Sequence, residues 1–321
     1  MKMKKIIALA LAVLMITAVV ACGSKADEAK EVRLTMATGG TAGTYYPFGG
    51  ELAQLIDNKT GYVKANAIAT GASAENIQQI GSGDAHIAIV QNDVMDYAYN
   101  ATNTWTSDAV KNLATLMTLY PEVCQIIVTA DSGINSVADL AGKRVSTGDI
   151  GSGVEANAIQ ILEAYGITVN DIQQEHLSFA ASADAVKDRV IDAFFVTAGT
   201  PNTAVLELQT SRDLRVLSID DATINALIAK YPFYAKYTIT RDEYEFLSGN
   251  VNTVAVQATL ICSPDMDEQV AYDIVKAIIE GKSDISHSKG AFIDAAYAVQ
   301  GVSVGFHPGA EKYFKEAGVL S

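Results

Sequence analysis

Thr38-Gly39-Gly40-Thr41-Ala42-Gly43-Thr44-Tyr45-Tyr46-Pro47 follows the strand-like run Val32 to Thr38 and leads into Phe48, Leu52, Leu55 and Ile56 at helical spacing. The stretch reads as a strand, a bare-backbone turn and a helix start. Its glycines let the main chain approach a ligand closely. The first N–H groups of the helix lack intrahelical partners, and the positive end of the helix dipole favours negative charge. The pattern recurs at Gly148-Asp149-Ile150-Gly151-Ser152-Gly153, between the strand-like Lys143 to Thr147 and the helical Val154 to Tyr165. Two such corners, one in each half of the chain, predict a ligand clasped between two lobes.

Working outward, strand-like runs alternate with helical ones: Val32 to Thr38, Val63 to Ala69, His86 to Val90, Cys124 to Thr129, Lys143 to Thr147, Ile191 to Val196, Leu214 to Ile219 and Val254 to Cys262. This rhythm predicts α/β architecture with largely parallel sheets covered by helices. Ligands collect at the carboxyl ends of strands in such sheets. Three further junctions carry hydroxyl or amide groups beside backbone donors: Thr70-Gly71-Ala72-Ser73, Gln91-Asn92-Asp93 and Thr197-Ala198-Gly199-Thr200-Pro201. Ordinary helix capping explains any one of them. Ser152 with Glu155 matches a capping box, Ser73 and Asn92 are good caps, and Thr200 precedes a proline at an expected first helical position.

The amino terminus opens with Lys2, Lys4 and Lys5, continues with an apolar run from Ile6 to Val20 and reaches Val19-Val20-Ala21-Cys22. It reads as a secretory signal over residues 1–21 ending in a bacterial lipobox, with Cys22 lipidated and residues 22–31 forming a small, charged tether. The expected location is extracytoplasmic, with a lipid anchor holding the protein at the membrane. Without residues 1–21 the chain carries 20 basic and 37 acidic residues, a net charge of −17. Nucleic acid is therefore a poor partner.

Besides Cys22, only Cys124 and Cys262 occur, both in apolar strand-like runs. Two buried thiols and a disulfide pinning a hinge are both open. The cysteines lack zinc spacing, and His86, His176, His287 and His307 are scattered singly, so no metal and no cofactor is expected.

The ordered set Ala37-Thr38-Gly39-Gly40 through Tyr46-Pro47, Gly71-Ala72-Ser73 with Glu75-Asn76, Ala88-Ile89-Val90-Gln91, Gly151-Ser152-Gly153, Gly199-Thr200-Pro201, Tyr231-Pro232 and His307-Pro308-Gly309-Ala310 resembles the TAXI family of TRAP-transporter solute receptors. The likeness runs from about Val32 to Gly318. It implies a type II periplasmic-binding-protein fold, two α/β lobes joined by a hinge with the ligand cleft between them. Lobe one would be residues 32–124 plus 253–321 and lobe two residues 125–252. It also implies a receptor for a small organic acid or amino acid, such as glutamate, glutamine or 2-oxoglutarate, working as a monomer with a sodium-coupled TRAP membrane permease. The contacts it implies are Gly40, Thr44, Tyr45, Ser73, Asn76, Gln91, Gly151, Ser152, Gly153 and Thr200, with Tyr45 and Tyr46 as a candidate fence. Arg144, the arginine nearest the second loop, reads as a surface or lobe-edge charge, which leaves anion binding to neutral donors and helix ends. A receptor of an ABC importer is the alternative.

An enzyme is the competing class. Gly301-Val302-Ser303-Val304-Gly305 matches the Gly-x-Ser-x-Gly elbow with His307 nearby. The elbow needs a strand before the serine, a helix after it and a distant histidine. Here Ala291 to Val299 reads as helical and Pro308 with Gly309 breaks the segment beyond the serine, so a surface esterase is disfavoured and no catalytic residue is expected. A surface adhesin is the third class, and it would not demand donor-rich loops in both halves.

Overall fold

The computed structural model describes residues 30–321. The expected signal peptide, the expected lipidation site Cys22 and the expected tether up to residue 29 lie outside the described residues. Among the described residues no helix is long and apolar enough to cross a membrane. Residues 33–321 form one compact unit.

In chain order the main elements are β1 (Val32–Ala37), α1 (Tyr45–Thr60), β2 (Val63–Ile68), α2 (Ser73–Ser82), β3 (Ile87–Gln91), α3 (Asn92–Asn100) and β4 (Ala114–Thr129). Next come β5 (Arg144–Ser146), α4 (Gly153–Ala164), β6 (Gln173–Glu175), α5 (Phe179–Lys187), β7 (Ala193–Ala198), α6 (Thr203–Gln209), β8 (Leu214–Val216), α7 (Asp221–Lys230) and β9 (Ala235–Ile239). The chain closes with β10 (Val251–Cys262), α8 (Glu268–Glu280), α9 (Ala295–Ala298) and α10 (Pro308–Glu316).

Helix α1 shows how the local sequence works. Tyr45, Phe48, Leu52, Leu55 and Ile56 share its buried face, as their helical spacing requires. Fully burying one such side chain stabilises the fold by about 1.5–3 kcal/mol. The helix stops at Gly61, whose φ of 75° is a conformation glycine adopts without steric cost, and whose N–H closes on the Asp57 carbonyl.

The strands form a sheet in the order β2-β1-β3-β10-β4-β7-β5-β6, with β8 on β4 and β9 on β10. It is mixed, which corrects the largely parallel expectation. The β1–β3, β5–β6 and β5–β7 pairs are parallel, while β10 runs antiparallel to β3, β4 and β9, and β4 runs antiparallel to β7 and β8. The reason is topological. Strand β4 carries the chain from the β1–β3 wing to the β5–β7 wing and β10 brings it back, so the two must oppose each other.

Strand β4 is also longer than Cys124 to Thr129. Pro121 obscures it in the sequence, because proline argues against a central strand. In the fold Pro121 lies opposite Gln257, close to the register shift between Ala258 and Thr259. Cys124, Ile126 and Val128 face one core with Val145, Ile161 and Phe195. Val123 and Ile127 face the other, with Phe194, Val205 and Tyr244. That two-residue alternation with both faces covered is the pattern of a fully buried strand. Ala37, Ile77, Val90, Met95 and Ile261 build the core of the first wing.

Cys124 and Cys262 are both buried free thiols. Cys262 pairs with Ala114 at the far end of β4 from Cys124, roughly 20 Å or more away at strand rise. A disulfide needs Cα atoms within about 7 Å, so the pinned-hinge alternative falls.

Candidate functional site

Two adjoining cavities open where the strand ends meet the helix starts. A sheet-side cavity of about 50 Å³ touches Gly40, Thr44, Tyr45, Ser73, Gln91 and Glu122 from the segments up to β4, and Gly153 and Phe179 from those beyond it. A loop-side cavity of about 80 Å³ shares Gly40, Gly43, Ala72, Val154 and Phe179 with it and adds Asp149, Ser152 and Ser178. The starts of α1, α2, α4 and α5 all border this space. Helices α1 and α2 begin without any side-chain cap, whereas Ser152 caps α4 and Ser178 caps α5. Ala72, bordering both cavities, holds a φ of 71° and ψ of −144°, a region that a non-glycine residue occupies only at a cost of about 1–3 kcal/mol and that tends to cluster at binding sites.

The residues expected as contacts divide into two groups. Gly40, Thr44, Tyr45, Ser73, Gln91 and Gly153 border the sheet-side cavity and Ser152 the loop-side one. Asn76, Gly151 and Thr200 border neither. Asn76 is buried and donates Nδ2 to the Thr38 carbonyl at 2.6 Å and the Ile89 carbonyl at 2.8 Å. It therefore joins the ends of β1 and β3 and positions the first loop. Gly151 gives its N–H to Glu155 Oε2 at 2.7 Å. Thr200 donates its hydroxyl to Glu243 and accepts Lys289 Nζ on its carbonyl at 2.6 Å. The cap expected at Thr200 is supplied instead by Asn202, whose Oδ1 accepts from Ala204 N and Val205 N. Tyr46 points to solvent at 37 % exposure. Arg144 is held by Asp192, with Nη2 to Oδ1 at 2.6 Å and Nε to Oδ2 at 3.1 Å.

Glu122 was hidden in the sequence among 37 acidic residues. The signal was a carboxylate in the run Leu116 to Val128, where only Thr118, Tyr120 and Gln125 are otherwise polar and an unpaired charge is costly. It is 2 % exposed, and the Tyr45 hydroxyl donates to its Oε2 at 2.6 Å. Burial pushes its carboxyl up to about 8; the Tyr45 bond acts against this, Asp93 reinforces it, and Lys289 opposes it. Burial, with the Glu122 charge, likewise holds the Tyr45 hydroxyl far above the usual phenol range.

A buried network joins the end of β3 and helix α3 to helix α4. Gln91 Nε2 donates to Asn157 Oδ1 at 2.9 Å, and Asn157 Nδ2 donates to Asp93 Oδ2 and to the Tyr234 hydroxyl, each at 2.9 Å. Tyr234 donates to Gln160 Oε1 at 2.6 Å, and Gln160 Nε2 reaches the Tyr97 hydroxyl at 3.1 Å. Burial raises Asp93 to about 6, opposed by the hydrogen bonds from Asn157 and Val94. Gln91 Oε1 is left buried without a partner.

The esterase pattern does not assemble an elbow. Ser303 Oγ donates to the Asn92 carbonyl at 2.8 Å, in coil rather than between a strand and a helix. His307 caps α10 through Nδ1 and meets the Met266 carbonyl through Nε2. Among the described residues no group of three or more His, Cys, Asp and Glu side chains is arranged to hold a metal.

A family model described as the NMT1-like family matches residues 36–318. Solved structures of similar fold include the alkanesulfonate-binding protein SsuA from Xanthomonas axonopodis pv. citri bound to MOPS, at 15% identity and a TM-score of 0.54 over 89% of this chain and 84% of that one. A putative L-cystine ABC transporter from Listeria monocytogenes aligns at 17% identity and 0.52 over 83% and 98%. A structure described as a periplasmic transporter aligns at 13% and 0.56 over 91% and 93%. At such identities the likeness is one of fold: two α/β lobes of the type II periplasmic-binding-protein class.

Proposed function

The chain belongs to the NMT1-like family, and from that premise we propose that it is an extracytoplasmic solute receptor that captures a small carboxylate-bearing metabolite, an organic acid or amino acid, for a membrane importer. One observation carries this reading: the uncapped starts of α1 and α2 and the capped starts of α4 and α5 converge on a shared cavity. Each helix end favours an anion by about 0.3–1 kcal/mol, more when partly buried. No covalent chemistry is required of the site.

In this reading residues 32–124 with 253–321 form one lobe and residues 125–252 the other, linked through β4 and β10. Ligand shifts the hinge toward closure because it touches both lobes only in the closed state. An ABC-type importer is the favoured partner, since the fold neighbours include a protein described as an L-cystine ABC transporter. The ordered motifs shared with TAXI receptors favour a sodium-coupled TRAP permease as the second reading. Lipidation at Cys22 would hold the receptor beside either one.

The test is a thermal-shift and calorimetric panel of amino acids, 2-oxo acids, dicarboxylates and sulfonates. A ligand that binds the native state raises Tm by mass action. Absence of any stabilising solute would overturn the receptor reading, and ATP-driven against sodium-driven uptake in vesicles separates the two partners.

A further inference from the structure

The sheet-side end of the cavity sets two side-chain acceptors, Glu122 and Gln91, beside the helix starts and the hydroxyls of Thr44, Ser73 and Thr197. Glu122 borders it with its carboxylate bonded to a single hydroxyl, that of Tyr45. Lys289, the cation whose field reaches Glu122, directs its ammonium to the Thr200 carbonyl instead. The second acceptor is Gln91 Oε1, and the network sets its orientation. Asp93 Oδ2 accepts from Asn157 Nδ2, which leaves Asn157 Oδ1 to accept from Gln91 Nε2. Gln91 must then turn its oxygen toward Gly153, at a point 1.1 Å from where a Cβ there would stand. The loop side adds the capped starts of α4 and α5 with the hydroxyls of Ser152 and Ser178. Asp149, which also borders the loop side, is a half-buried carboxylate whose proton affinity burial raises, opposed by His176.

We propose that Glu122 and Gln91 Oε1 form a subsite for a protonated amine, so that the receptor takes small amino acids and rejects the 2-oxo acids and dicarboxylates of the same carbon skeleton. This rests on the solute-receptor reading above. The ligand's carboxylate lies toward the helix starts and its ammonium toward Glu122, each meeting groups of opposite character. Glu122 is faced by Tyr45 from α1, Tyr120 from its own strand, Asp93 from α3 and Lys289 from the turn Ser288–Phe292. Burial and Asp93 keep its carboxyl protonated in the empty site, against Tyr45 and Lys289. An arriving ammonium breaks the carboxyl O–H bond in favour of the ion pair, and the proton passes to solvent. Binding therefore releases about one proton near pH 7.

The experiment titrates the unaltered protein with L-amino acids and their matching 2-oxo acids between pH 6 and 9, in phosphate and in Tris. The expected result is binding of amino acids alone, tightening by up to about tenfold per pH unit from 6 to 8, with a buffer-dependent heat that reports proton release. Glu122→Gln keeps the shape of the side chain. It is expected to weaken amino-acid binding by about tenfold or more and to flatten the pH dependence. If 2-oxo acids bind as well as amino acids, or Glu122→Gln binds amino acids unchanged, the amine subsite is overturned while the receptor stands. If no solute of any class binds, the receptor reading falls and the subsite with it.

Discussion

The amide oxygen of Gln91 fills the space beside Gly153 in which a Cβ would stand, 1.1 Å from that position. The two residues lie far apart in sequence, at the end of β3 and the start of α4. Strand end and helix start thus meet so closely that only a glycine fits without moving a buried side chain that Asn157 holds in place.

Gly153→Ala must therefore displace Gln91 and break its bond to Asn157. The expected cost is about 1–3 kcal/mol in urea unfolding, together with a loss of ligand affinity. Wild-type behaviour on both counts would mean that Gln91 is not held against this helix start.

Asn157→Leu removes three hydrogen bonds at once and leaves Asp93, Tyr234 and Gln91 Nε2 short of partners. Stripping partners from buried polar groups costs about 1–3 kcal/mol each, and network members do not add simply. A destabilisation of about 2–4 kcal/mol is expected in denaturant titration. A change under about 0.5 kcal/mol would show that the network does not hold α3 and α4 together.

Thr44 and Ser152 separate binding from folding. Thr44 makes no cap bond, so Thr44→Ala is expected to weaken ligand binding while costing no more than the about 0.8 kcal/mol of a lost methyl group. Ser152 Oγ accepts from Glu155 N at 3.2 Å, so Ser152→Ala carries a further stability loss of about 1 kcal/mol. Calorimetry for binding and melting for stability check the pair; unchanged affinity in both variants would remove the assigned cavity from consideration.

Buried carboxyls set the pH dependence. Glu122 moves from 4.5 to about 8 and Asp93 from 3.8 to about 6, so the folded state binds more protons than the unfolded state between those values. The stability they contribute is fully present below the unfolded values and is lost as pH rises, by up to about 1.4 kcal/mol per unit for each group in its window. In Glu122→Gln that loss shrinks to the Asp93 share, which ends near pH 6. The Tm of the variant relative to wild type should climb from pH 5 to about 8 and then level. Parallel melting curves across that range would contradict a neutral Glu122 in the empty fold.

The α/β rhythm, the two glycine corners and seven of the residues that border the cavities were legible in the sequence, because local periodicity and turn chemistry are properties of neighbouring residues. Gly40, Thr44, Ser73, Ser152 and Gly153 announce helix starts whatever surrounds them. Asn76 and Thr200 announced themselves equally well, yet their polar groups are taken up by Thr38, Ile89, Glu243 and Lys289. Whether a cap faces a ligand or another loop depends on partners far along the chain.

The sequence by itself marked most strands and helices and the places where backbone donors gather, since each is set by side chains a few positions apart; the short β6, the strand β9 and the start of β4 escaped it. Only the tertiary structure decided that β4 and β10 run antiparallel through the centre, that Cys124 and Cys262 stay far apart, and that Glu122 sits beside Tyr45 and Gln91 at the cavity. Those relations join residues separated by tens to hundreds of positions. The energy of a buried carboxyl is set by the dielectric and hydrogen bonds that such distant partners supply, and no local pattern encodes them.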